Sequence, residues 1–307
     1  MRYLSALRLF SSNRPKRQLI SIALKLICHP RKFFTFVKLL SRREFTAARH
    51  SIAWVFARKS NESNSELVRK FDEEIYQWLR LNTDSDNSMK FTIIIPVFDP
   101  DLHLLEELLD VCQRQTYENW DCVLVADGMS TANKIFKSVK LKNAITDILT
   151  PNNIENQSEF IKAAIRIIIL GEPQGTCIAT SSGIDYALGT HIVFVDQDDL
   201  ISIRTLETFT KLAPHDFDAA YSDHSVVNYN GEIIQAFRKP NWSPILATQV
   251  MYFGHVKCLK RDIAQKFYRK VIGSNVEDHV SFLNIGIGGG RIVLIPLVLA
   301  CWRLAPT

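Results

Sequence analysis

The sequence predicts an α/β domain with a mostly parallel central sheet and helices on both faces, preceded by a basic helical N-terminal extension. Three observations carry this. Short apolar, β-branched runs alternate with helix-patterned segments from residue 90 onward, as in βαβ units. The runs are apolar throughout rather than alternating, the mark of strands buried on both faces. Finally, charge is divided unevenly. Residues 1–60 hold 14 Lys/Arg and one acid, Glu44, giving +13, whereas the rest carries 23 bases and 31 acids, giving −8.

The elements follow in order. In residues 1–60, Lys and Arg recur among Leu, Ile and Phe, as in a basic helix lying on an anionic membrane surface. A nucleic-acid-binding arm is the rival reading, and short helices packed on the domain a third. The bases recur too often for a signal-peptide core. Residues 60–65 (SNESNS) read as a linker, and a helix follows from Glu66 to Leu81, with Phe71, Ile75, Trp78 and Leu79 near helical spacing. The expected division is therefore 1–60 arm, 61–89 linker and helix, and 90–307 α/β domain.

Phe91-Thr92-Ile93-Ile94-Ile95-Pro96-Val97 is the first strand, and 102–115 a helix. Residues 121–126 form the second strand, ended by Asp127-Gly128; strands at 165–170 and 191–195 flank a helix around 179–188. Asn230-Gly231 between two β-rich runs predicts a hairpin. No apolar run reaches the roughly 18 residues of a membrane span; the longest, 292–302, is interrupted by Pro296. The six cysteines lack CxxC spacing, which speaks against a zinc site or disulfide framework and for a reducing compartment.

In a sheet of this kind ligands bind beyond the carboxyl ends of the strands. Acids stand at three such ends, and the first turn lacks the Gly-rich phosphate loop of a dinucleotide-binding or P-loop protein. Asp196-Gln197-Asp198-Asp199 is the strongest local signal. Three carboxylates in four residues after a buried strand repel one another unless a cation sits among them, and such oxygen ligands suit Mg²⁺ or Mn²⁺ beside a diphosphate. His224 and His255 read as structural histidines.

These positions carry a resemblance. From about Lys90 the chain resembles the family 2 glycosyltransferases, inverting nucleotide-sugar enzymes of GT-A fold. Residues 93–99 are similar to the family's first strand and nucleotide loop, and Gln115-Thr116-Tyr117-Glu118-Asn119-Trp120-Asp121 to its lead into the second strand. Asp196, Asp198 and Asp199 fall on its extended D-x-D, and Glu277-Asp278 on its late acidic motif. Tyr221-Ser222-Asp223, Arg238-Lys239-Pro240-Asn241-Trp242 and Trp302-Arg303 resemble a subgroup of bacterial surface-polysaccharide and O-antigen enzymes.

The resemblance implies the following roles. Asp278 is the catalytic base, with Glu277 as the alternative. Asp198 and Asp199 hold a divalent Mn²⁺ or Mg²⁺. Pro96, Phe98, Asp127, Asp196, Asp198 and Arg303 bind the nucleotide sugar, with Asp127 on the base and Arg303 on a phosphate or paired with an acid. Trp242 and Trp302 are candidates for stacking on a sugar. The implied activity is inverting hexosyl or deoxyhexosyl transfer from a UDP- or dTDP-sugar to a saccharide or lipid-linked saccharide. It would occur at the cytoplasmic face of the cell membrane, with residues 1–60 on the anionic surface. Three positions depart from the family pattern: Ala126 in D-D-G-S, Ser181 and its neighbours in A-R-N-x-G, and Cys301 in H-W-R. They support an alternative, a catalytically impaired relative that binds nucleotide or glycan.

Overall fold

The structure, a computed structural model, describes residues 64–81, 88–149, 161–213, 216–268 and 276–304. The basic arm, residues 1–60, lies outside the described residues. The first described element is helix α1 (Asn64–Leu81), and its Ile75 and Leu79 are buried in the main core.

The chain then lays down β1 (Phe91–Val97), α2 (Leu102–Gln113), β2 (Trp120–Ala126), α3 (Met129–Ile135), α4 (Val139–Ala144), β3 (Asp147–Leu149) and β4 (Ile165–Ile169). It continues through α5 (Thr176–Asp185), β5 (His191–Phe194), β6 (Leu200–Ile201), α6 (Thr205–Leu212), β7 (Ala219–Val227) and β8 (Ile233–Phe237). The last elements are α7 (Pro244–Ala247), β9 (Lys257–Lys260), α8 (Arg261–Phe267), α9 (Glu277–Ile287) and β10 (Ile292–Arg303).

The strands form one sheet in the order β3-β4-β2-β1-β5-β9-β7-β10-β6, with β8 paired to β7. Pairing is parallel from β3 through to β5, and again between β7 and β10. β9 runs antiparallel to both its neighbours, β8 to β7, and β6 to β10. The mixed, mostly parallel α/β architecture is the one the sequence predicts. The Asn230-Gly231 hairpin also forms, as β7 and β8.

Both faces of the sheet are covered. Along β2, Cys122, Leu124 and Ala126 point into the large core with Leu105, Leu108 and Phe209, while Val123 and Val125 face a second cluster with Leu149, Ile168 and Ala179. Because alternate residues of a strand point to opposite faces, double coverage demands an unbroken apolar run. On the second face α5 approaches β1 closely: a Cβ on Gly183 would stand 2.6 Å from Ile94 Cγ2.

Two strands differ from the sequence reading. β3 has only three residues, two of them exposed, so no apolar run marks it. β9 begins and ends with lysine, which hides a buried strand behind a polar texture.

The sheet has a switch point between β1 and β5. From β1 the chain proceeds to β2 and out to the edge strand β3, comes back through β4 between them, and then places β5 on the other side of β1. Pro96 fits here for a physical reason. Val195 N donates to Ile94 O, so the even-numbered residues of β1 face β5, and the β1–β5 register ends at Ile94 and Phe194. The missing N–H of Pro96 therefore falls where the ladder has already stopped, and the two strands part to leave a crevice.

Candidate functional site

The crevice is lined by the ends of β1, β2 and β5, by the start of β9, which meets the end of β5 (Phe194 opposite Lys257), and by the end of β10. The β1 and β5 loops are tied together by Gln197. Its Oε1 accepts from Phe98 N–H (2.9 Å) and its Nε2 donates to Phe98 O (3.0 Å), the two bonds a β-bridge would make. Phe98 itself is 57% exposed, an aromatic surface held at the mouth of the crevice.

Asp127 sits at the end of β2 and is buried. Its two carboxylate oxygens accept from the backbone N–H groups of Gln174 (2.7 Å) and Gly175 (2.8 Å). Gly175 is the N-cap of α5, so Asp127 anchors that helix start against the sheet. Gly128 follows with φ +96°, a conformation open to glycine at low cost.

The acidic loop after β5 divides its carboxylates. Asp199 is 3% exposed. Its Oδ1 accepts from Arg303 N–H (3.1 Å), and its Oδ2 lies 2.7 Å from His255 Nδ1. Asp196 is exposed, with Oδ2 3.8 Å from the same nitrogen. Among the described residues, Asp196, Asp199 and His255 bring one ligand atom each within 4.8 Å of one another; the Asp198 carboxylate is not part of that group. Burial is the main cause that raises the Asp199 carboxyl above the usual carboxylate range, against the opposing pull of the His255 hydrogen bond. Burial likewise raises Asp198.

Two carboxylates and an imidazole fit a divalent cation of the Mn²⁺ type, which accepts both oxygen and nitrogen ligands. The fit is more than compositional. An imidazole nitrogen and a carboxylate oxygen 2.7 Å apart share one proton, and a buried carboxylate that gives up that proton needs a positive partner. His255 reads from the sequence as a structural histidine; the structure instead brings its ring to the acidic loop from the turn before β9.

His255 is held on several sides. It stacks on Trp302 (centroids 5.4 Å apart, planes at 14°) and meets His224 (5.3 Å). His224 is buried and stacked on Phe237 (5.1 Å), and burial pushes its pKa down to about 2. Arg303 is 5% exposed and donates from all three of its guanidinium nitrogens: Nε to Asp198 O (3.1 Å), NH1 to Tyr229 O (2.7 Å) and NH2 to Glu107 (2.8 Å). It thus fastens the acidic loop, the β7–β8 hairpin and α2 together, and its acid partner is Glu107. Trp242 packs among Tyr252, Phe253 and Phe282.

Glu277 and Asp278 open α9. The Asp278 carboxylate accepts from Lys257 Nζ on Oδ2 and from Tyr268 OH on Oδ1, and Tyr268 stacks on Phe194 at the end of β5 (4.7 Å, 9°). Asp278 is therefore placed at the rim where β5 and β9 meet. Glu277 Oε2 is buried with no hydrogen-bond partner among the described residues. Gln197, Lys257 and Tyr268 carry no local sequence signal. Each acts through a partner at least ten positions away.

Comparison with known proteins gives the family and the fold. Residues 92–254 match the description "Glycosyl transferase family 2", more than half of the chain, and the protein belongs to that family. It is 25% identical over 173 residues to the O-antigen biosynthesis protein RfbC of Myxococcus xanthus, covering 56% of this chain and 12% of RfbC. It is also 25% identical over 150 residues to the Escherichia coli UDP-Glc:alpha-D-GlcNAc-diphosphoundecaprenol beta-1,3-glucosyltransferase WfgD, covering 48% of this chain and 51% of WfgD. The matches to both relatives span about half of their length or less. Among solved structures, S. aureus TarS 1-349 in complex with UDP-GlcNAc superposes with TM-score 0.52 at 16% identity, covering 71% of this chain and 60% of TarS 1-349. GalNAc-T7 with UDP, GalNAc and Mn²⁺ gives 0.52 at 13% identity, covering 72% and 45%. The fold is that of the GT-A glycosyltransferases. Among the described residues no helix is long and apolar enough to cross a membrane.

Proposed function

We propose that this protein is an inverting glycosyltransferase that moves a hexosyl or deoxyhexosyl group from a UDP- or dTDP-sugar to a saccharide or lipid-linked saccharide during surface-polysaccharide synthesis. The observation that supports it most is the convergence of Asp196, Asp199 and His255 beside the Phe98 loop at the β1–β5 switch point. The related proteins named for O-antigen synthesis and for a diphosphoundecaprenol-linked acceptor favour this substrate class.

The donor lies in the crevice with its base toward Phe98 and Pro96 and its diphosphate toward the acidic loop. Asp127 and the α5 N-terminus form the wall of that pocket. Asp199, Asp196 and His255 would hold a divalent cation, with Asp198 adjacent, and the cation would supply Lewis-acid stabilisation of a departing diphosphate. Gln197 keeps the nucleotide loop and the acidic loop in register, so that base and diphosphate are read together. The acceptor enters near α9, where the Asp278 carboxylate takes the hydroxyl proton as general base. Lys257 and Tyr268 fix that carboxylate's orientation. Attack on the face opposite the leaving group inverts the anomeric centre. Residues 1–60 would bring the enzyme to the anionic cytoplasmic leaflet, where a lipid-linked acceptor resides.

The experiment is a donor-hydrolysis and transfer assay across UDP- and dTDP-sugars with Mn²⁺ or Mg²⁺. Turnover that needs the cation supports the reading. Nucleotide binding without turnover on any donor would leave the impaired, binding-only relative as the better account.

A further inference from the structure

The Arg238-Lys239-Pro240 motif has no part in the chemistry described so far, yet Lys239 is among the most buried charged residues of the molecule, at 1% exposure. A buried ammonium is costly unless its hydrogen bonds and charge are met. Lys239 Nζ donates to the carbonyls of two consecutive residues, Gly254 and His255, the latter at 2.8 Å. Its backbone N–H donates to Asp223 Oδ1 (2.6 Å), and Arg238 NH1 donates to Asp223 Oδ2 (3.2 Å). Asp223, buried on β7, thus ties the Lys239 backbone and Arg238 to the sheet, while burial holds the Lys239 amine well below its usual pKa against the opposing charge of Asp223.

The two carbonyls belong to the turn that enters β9. His255 adopts φ +36°, a left-handed conformation that a side chain other than glycine keeps only where its surroundings over-determine it. Trp302 and His224 constrain the ring, but rings do not hold a backbone dihedral. The lysine does: both carbonyls must point toward one ammonium, which fixes the peptide planes on either side of the His255 α-carbon.

We propose that Lys239 is a positioning residue for the cation site: it locks His255 in the left-handed conformation that aims Nδ1 at Asp199 and thereby completes the Asp196–Asp199–His255 group. This rests on the reading of that group as a cation site. It gives the motif a role 16 residues before its target in sequence and on a different strand connection.

The test uses Lys239→Met in the full chain, which keeps the length of the stem and removes the donors. The first readout needs no metal. In ¹⁵N-histidine-labelled protein, the His255 ring resonances are identified by their loss in His255→Ala. They should move in K239M, while those of exposed His103 stay fixed. The second readout is Mn²⁺ affinity by calorimetry. K239M should weaken it about 10–100-fold, the usual effect of removing a group that orients a ligand. In the H255A background the same substitution should add nothing. Unmoved His255 resonances in folded K239M would overturn the proposal, and so would a loss of affinity that adds in full to that of H255A. If the wild-type chain does not bind Mn²⁺, the cation reading falls, and the resonances alone decide the role of Lys239. Should K239M not fold, Lys239→Met with Asp223→Asn removes both charges together and takes the same two readouts.

Discussion

His255 Nδ1 lies 2.7 Å from Asp199 Oδ2, so one proton is shared between two atoms that are both expected to bind a cation. Cation binding must displace that proton. Burial raises the Asp199 carboxyl, so its protonated form persists to higher pH than in an exposed aspartate. Mn²⁺ affinity should therefore rise as pH increases and fall on mild acidification. Calorimetry between pH 5.5 and 8, in buffers of different ionisation enthalpy, should show proton release. An affinity independent of pH would contradict a site built on this pair.

Asp199→Ala should cost stability as well as cation binding. The substitution strands the buried Arg303 N–H and the His255 ring, at about 1–3 kcal/mol for an unmet buried group. Asp198→Ala removes no hydrogen bond to the metal group and should leave cation affinity closer to wild type. Thermal unfolding with and without Mn²⁺ separates the two. Equal loss of Mn²⁺ affinity in both variants would return Asp198 to the ligand set.

Asp278→Asn should retain donor binding and lose about 10²–10⁴-fold in turnover, the usual range for a general base. Glu277→Gln is the comparison. If Glu277→Gln shows the large loss and Asp278→Asn does not, the buried Glu277 oxygen is the base, and Asp278 serves only to anchor Lys257 and Tyr268.

His224 makes the stability of the protein sensitive to acid. Its folded pKa is lowered to about 2 by burial, with Lys239 and His255 adding to the effect. The unfolded chain binds a proton below about 6.5 that the folded chain refuses. Stability from this residue is complete above that pH and is lost as pH falls toward 2, by up to about 2 kcal/mol at pH 5. His224→Phe keeps the stack on Phe237 and removes the titration. Its denaturant midpoint should fall less than that of wild type between pH 7 and 5. Parallel slopes would show that His224 opens to solvent before unfolding.

Residues 1–60 carry +13. At about 1 kcal/mol per Lys or Arg near an anionic surface, even a few facing the membrane suffice for binding. The full chain should co-sediment with anionic liposomes at low salt and less with neutral ones. Residues 61–307 alone should bind neither. Equal binding by both would remove the arm from membrane attachment, and retention on RNA or DNA in preference to liposomes would favour the nucleic-acid reading.

How much of this was legible in the sequence depends on distance along the chain. β1, β2 and β5 are continuous apolar runs because both faces of the sheet are covered, and a run is a local signal. The acids at their ends are local too, which is why the crevice could be located from residues 96–99, 127 and 196–199. β9 was hidden because Lys257 is buried through its pairing with Asp278 on α9, a compensation no window of sequence contains. His255 looks like any isolated histidine until Lys239, Asp199 and Trp302 converge on it from three other segments. Arg303 reads as a cation for a phosphate or for an acid, and the sequence does not say which acid: its partners are Glu107, Asp198 and Tyr229, as many as 196 positions away.

The account turns on the crevice being a donor site completed by Asp196, Asp199 and His255. The most direct measurement is transfer or hydrolysis of UDP- and dTDP-sugars by the full chain with Mn²⁺, after chelation, and in His255→Ala. The account predicts turnover with Mn²⁺ that is lost on chelation and falls at least tenfold in H255A, with the fold intact. Turnover that survives both chelation and H255A unchanged would contradict it.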